Sequence, residues 1–72
     1  MNKNMLRSVM ALHGDTGNSV AQCLGLSRAR FSDKINEKNG AQFTQREIEI
    51  LRNRYSLSAT ELEMIFFDRK VS

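Results

Sequence analysis

Seventy-two residues carrying a net charge of +3 suffice for one small domain, spanning 1–72, whose core supplies only modest stability. With Cys23 as the only cysteine and His13 as the only histidine, neither an internal disulfide nor a Cys/His zinc site can be assembled, so regular helix packing and self-association are the expected supports. No apolar run exceeds the length of Met64 to Phe67, far too short to span a bilayer, and the Lys3/Arg7 segment lacks the apolar stretch of a signal peptide, which predicts a cytoplasmic protein without a membrane partner.

No proline interrupts the chain, and apolar spacing follows a helical period almost throughout, predicting an all-α domain of five helices. The first runs from about Asn4 to Leu12, with Met5, Val9 and Leu12 on one face beside Leu6 and Met10, and ends at His13 and Gly14. His13 reads as a helix-ending residue at a C-terminal dipole, with a phosphate contact as the alternative. Thr16 is placed to cap a second helix of Val20, Ala21 and Leu24, which Gly25 ends. Ser27 caps a third, with Leu26 and Phe31 at the positions of a hydrophobic staple.

Thr44 with Glu47 forms a capping box stapled by Phe43 and Ile48, opening a fourth helix to about Tyr55, whose hydroxyl is expected in water. Ser58 with Glu61, stapled by Leu57 and Leu62, opens a fifth helix through Ile65 and Phe66. Met5, Met10 and Met64 read as core filler, and Cys23 as an inert, partly buried thiol. Ile65, Phe66 and Phe67 are many apolar groups for one side of a short helix, so they divide between core completion and a homodimer seam.

The segment with functional content lies at about 16–36, where two short helices meet at Leu24, Gly25, Leu26 and Ser27. Ala21 is small enough for close helix packing, Gly25 supplies a left-handed turn, and Val20, Leu24, Phe31 and Ile35 form a shared core. The third helix then turns Ala29, Ser32 and Asp33 outward, with Arg28 and Arg30 at the edges. That face suits the major groove of double-stranded DNA. Arg28 fits a bidentate contact to guanine or a phosphate, Ser32 permits close approach to a base edge, and the Ala29 methyl matches a thymine methyl. Asp33 either accepts from a cytosine amino group or pairs with Arg28 or Arg30.

Around this patch Arg30, Lys34 and Lys38 are expected to track phosphates, while Thr16, Asn18 and Ser27 present helix N-termini to the backbone. Charge is distributed to match. Residues 1–40 hold six Lys/Arg against three Asp/Glu, residues 41–68 hold three against five, and Arg69 and Lys70 follow. Catalysis finds no support: there is no nucleophile with a base and an orienting group, no pair of carboxylates for a pocket and no phosphate-cradling glycine loop. A binding protein is expected, with no enzyme activity, cofactor, metal or small-molecule ligand, and no separate sensing domain.

Ala21, followed after three residues by Gly25, Leu26, Ser27 and Arg28, and then Phe31 and Ser32, resembles the helix-turn-helix signature of lambda-repressor-like, or Cro and Xre-type, regulators. The continuation through Asn36, Phe43, Thr44, Glu47 and Ile48 to Ile65, Phe66 and Phe67, near Val71 and Ser72, is similar to short regulators of phages and prophages of Gram-positive bacteria. The resemblance implies a five-helix domain, operator binding as a two-fold dimer and transcriptional control. The family's frequent glutamine after the cap of the second helix is replaced here by Gly17, and its usual glycine after the third helix by Glu37. The rival reading is a protein-interaction module, an antirepressor or adaptor using the Ile65 to Phe67 surface; a DNA binder without sequence preference is a third.

Overall fold

The computed structural model describes residues 1–67. Among them every regular element is helical: α1 (Lys3–Leu12), α2 (Gly17–Leu24), α3 (Arg28–Ile35), a 3₁₀ turn (Lys38–Gly40), α4 (Gln45–Tyr55) and α5 (Ala59–Leu62), which continues as a π-type turn (Glu63–Phe67). Each helix begins at a side chain that takes up a free N–H of the first turn. Asn2 accepts from the Met5 N–H, Thr16 from that of Ser19, Ser27 from that of Arg30, Thr44 from that of Glu47 and Ser58 from that of Glu61. The first helix therefore starts slightly earlier than its apolar pattern indicates. The second gains a reciprocal box, because Ser19 Oγ accepts from the Thr16 N–H at 2.9 Å.

One residue from each of α1, α2, α4 and the π-type turn is wholly enclosed: Leu6, Val20, Leu51 and Ile65. Phe31 and Phe43 lie 5.8 Å apart, and Phe66 meets Phe43 edge-on at 6.1 Å, which closes the core beneath α3. Gly25 takes φ 71°, a left-handed conformation suited to a residue without Cβ, and the Leu26 N–H then reaches the Ala21 carbonyl at 2.9 Å. The result is a tight corner between α2 and α3 with Ala21, Leu24, Phe31 and Ile35 all buried.

Leu12 departs from the expected apolar face of α1 and stands 85% exposed, because the core side of this helix is set by Leu6 and Met10. Met64 is likewise exposed rather than core filler, and Cys23 is exposed rather than partly buried. The fifth helix was expected to stay regular through Phe66. Instead α5 widens after Leu62, and three consecutive apolar residues separate: Ile65 is 0% exposed, Phe66 half-buried and Phe67 56% exposed. Asn2 holds the turn in place by donating its N–H to the Ile65 carbonyl at 2.7 Å.

The loop before α2 is tied to the far end of α4 by Asp15. Its Oδ1 accepts from Ser19 Oγ at 3.0 Å and Arg54 Nη2 at 2.7 Å, and its Oδ2 from Arg54 Nε at 2.9 Å and the Tyr55 hydroxyl at 2.7 Å. The Arg54 guanidinium, followed by the Tyr55 hydroxyl, holds the Asp15 carboxyl well below the usual carboxylate range. Burial, then the adjacent carboxylate, pushes the Tyr55 hydroxyl up. Tyr55 is thus not open to water as expected, and the ring of His13, the residue ending α1, packs tilted against its ring at 4.9 Å. No helix among the described residues is long and apolar enough to cross a membrane.

Candidate nucleic-acid interface

The outward face of α3 follows from what its inward face must cover. At 100° per residue, Phe31, Lys34 and Ile35 occupy the buried side, so Ala29 stands opposite, flanked by Ser32, Asp33 and the following Asn36, with Arg28 and Arg30 at the margins. Arg28, Ala29, Arg30 and Ser32 are exposed and Asp33 is half-exposed. Among the described residues no cation comes within ion-pairing distance of Asp33, which removes the Arg28 and Arg30 pairings as its structural role. The face has small Ala29 at its centre, polar Ser32 and Asp33 beside it, and cations on its edges.

Lys34 is a correction. It was expected on a phosphate, but its side chain is only 10% exposed and its Nζ lies 2.7 Å from Glu47 Oε1. The same Oε1 accepts the Thr44 N–H at 2.8 Å, so the capping carboxylate of α4 also anchors α3. Lys34 and Thr44 together hold the Glu47 carboxyl below its ordinary range, against the opposing effect of burial, which is the largest single influence on it. A cation spent in this way positions the helix and is not free to meet DNA.

Thr16, Asn18 and Ser27 are exposed at the starts of α2 and α3, and Lys38 is exposed in the 3₁₀ turn. Thr16 and Ser27 each commit a hydroxyl lone pair to their helix cap. A polar groove runs between α2 and α3, with Thr16, Asn18 and Gln22 on one side and Arg28 on the other. Gln22 went unnoticed in the sequence because its place in this groove depends on how the two helices cross.

No family model, curated protein or solved structure matches the chain. Asn36, also missed, donates from Nδ2 to the Ser32 carbonyl at 2.9 Å, and its Oδ1 accepts from Lys3 Nζ at 3.2 Å. Extending the outward row of α3 by one turn would have found Asn36; Lys3 needs the tertiary placement of α1.

Glu37, directly after this row, adopts φ 53°, a left-handed conformation that favours glycine, and its Oε1 sits 3.1 Å from the Met1 ammonium. Met1 and Glu37 border one cavity with Phe43, Phe66 and Phe67, and Phe67 also shares a shallow groove with Ile48 and Leu62. Ile65 is excluded from any intermolecular seam there by its complete burial, leaving Phe66 and Phe67 as the accessible members. The basic pair Arg69 and Lys70, together with Val71 and Ser72, lies outside the described residues.

Proposed function

We propose that this chain is a sequence-specific duplex-DNA-binding regulator of the lambda-repressor-like helix-turn-helix class, related to phage and prophage Cro and repressor proteins. The observation that carries the reading is α3 itself. It is capped by Ser27, anchored by Phe31, Ile35 and the Lys34–Glu47 pair, and free of covering elements over Arg28, Ala29, Ser32 and Asp33. A short, rigidly held helix with small residues at its crest and arginines on its margins can enter a major groove and meet base edges. Thr16, Asn18, Arg30 and Lys38 then meet phosphates and fix register.

Two such helices about 34 Å apart match successive major-groove faces of a pseudo-palindromic operator, so the active species is a two-fold dimer that occludes a promoter. Phe66 and Phe67 are its seam. A dimer neutralising about eight phosphates gives a log–log salt dependence of affinity near −7. The test is to bind the protein and its Arg28→Ala/Ser32→Ala variant to a preferred duplex and to a scrambled one. Loss of preference in the variant supports base reading by α3; unchanged preference contradicts it.

The exposure of Met64, and of Phe67 in its groove with Ile48 and Leu62, favours a second reading, a protein-interaction module on the same frame. Under that reading Arg28→Ala/Ser32→Ala is silent for partner capture and Phe67→Ser abolishes it.

A further inference from the structure

A second groove runs between α1 and α3 and reaches the start of α2 at Gly17. Arg7 and Ala11 of α1 form one wall, Arg28 and Ser32 of α3 the other. Lys3, one turn before Arg7, reaches Asn36 at 3.2 Å. Two exposed rows at helical spacing, Lys3, Arg7, Ala11 and Arg28, Ser32, Asn36, therefore face each other, with the start of α1 against the end of α3.

Two cations, Arg7 and Arg28, line the furrow between these rows, and a third, Lys3, stands beyond its lining beside Asn36. Asp15 is the one acid lining it, and its two oxygens are already taken by Arg54, Tyr55 and Ser19. Gly17 sits at the furrow's end, where a Cβ would come no nearer than 3.8 Å to Phe31; the missing side chain leaves the entrance open beside Arg28. Neither Lys3 nor Arg7 has a carboxylate partner among the described residues. Unpaired cations in a groove held at low local negative charge attract an anion, and a row repeating every four residues, about 6 Å along the helix axis, matches a polyanion better than a single ion.

We infer that this furrow holds the phosphodiester backbone of one strand of the duplex, with Lys3 and Arg7 on successive phosphates, so that α1 is a third DNA-contacting element. The inference rests on the DNA-binding reading above and deepens it. Arg28 lines both this furrow and the α2–α3 groove. It stands where the two grooves meet, at one margin of the Ala29 crest. Asn36 is a positioning residue here: its contacts to Lys3 and to the Ser32 carbonyl hold the end of the lysine row against α3.

The experiment is a salt titration of binding to a random-sequence duplex of about 30 base pairs, comparing the unaltered protein with Lys3→Gln/Arg7→Gln and with Arg46→Gln/Arg52→Gln, which removes the same charge from the exposed face of α4. The inference predicts that the first pair weakens binding about tenfold at 0.15 M salt and lowers the log–log slope by about 0.9 for each of its two contacts in each bound chain, while the second pair leaves the slope unchanged. Equal losses from both pairs, or none from the first, overturn the furrow while the DNA-binding reading stands on Arg28→Ala/Ser32→Ala. Failure of the unaltered protein to bind any duplex overturns both. All four substituted side chains are exposed, and a circular dichroism melt of each variant verifies that folding is retained.

Discussion

Lys34 Nζ and Glu47 Oε1 lie 2.7 Å apart with both side chains at most 10% exposed, and this pair joins the last turn of the proposed reading helix to the first turn of α4. Removing one member leaves the other buried without its counter-charge, a loss of roughly 3 kcal/mol. Lys34→Ala is expected to lower the midpoint of chemical denaturation accordingly. Lys34→Met with Glu47→Gln should recover most of the loss, because glutamine still accepts the Thr44 N–H. The double variant is also expected to keep the salt slope of DNA binding, which a phosphate-contacting lysine would not.

Asp15 predicts a second stability effect. Its four accepted hydrogen bonds join the α1–α2 loop to α4, so Asp15→Ala should cost about 2 kcal/mol and Tyr55→Phe about 1 kcal/mol. The two changes should be less than additive in a double-mutant cycle, since each breaks the same contact.

Acid pH acts on the same groups. Asp15 and Glu47 are held below their ordinary values in the folded state, so the unfolded chain binds more protons at low pH and their contribution is present above about pH 5 and lost as pH falls through and below about 4. Tyr55 is shifted the other way: its folded value is raised, so its contribution is full below about pH 10 and lost above it. Thermal melts across pH should therefore be level near neutrality and fall on both sides. Asp15→Asn should flatten the acid fall.

Glu37 and Gly17 offer opposite backbone tests. Glu37 has φ 53° with a Cβ, a conformation disfavoured by about 1 kcal/mol or more. Its contact with the Met1 ammonium is half-exposed and offsets little of this. Glu37→Gly should raise the melting temperature by a few degrees and, by deleting an anion beside Asn36, strengthen DNA binding at low salt. Gly17 opens α2 without a positive φ, and a Cβ there meets Phe31 at ordinary contact distance. Gly17→Ala should stabilise by about 0.5 kcal/mol through the unfolded chain.

The helix starts were legible because a cap is local: Thr16, Ser27, Thr44 and Ser58 act within three residues of themselves. The outward face of α3 was legible for the same reason, as a consequence of periodicity around Phe31 and Ile35. Lys34 was misread because its charge implied solvent, although its helical angle lies beside Phe31; its partner is 13 residues away. Asp15 carries no local signal of its role, since its partners Arg54 and Tyr55 are 39 and 40 residues distant. The division of Ile65, Phe66 and Phe67 depends on the widened turn after Leu62, which no spacing rule anticipates. The Lys3–Asn36 meeting likewise needs the packing of α1 on α3.

The central claim is base-specific recognition of duplex DNA by α3. Its most direct test is selection of bound sequences from a random duplex pool at about 150 mM salt, a concentration at which contacts to phosphates alone are weakened, followed by sedimentation on the recovered site. The account predicts a two-fold-symmetric motif with half-sites about one helical turn apart, bound by two chains. Recovery of no motif by a folded protein would contradict it and direct attention to protein partners of the Phe67 face.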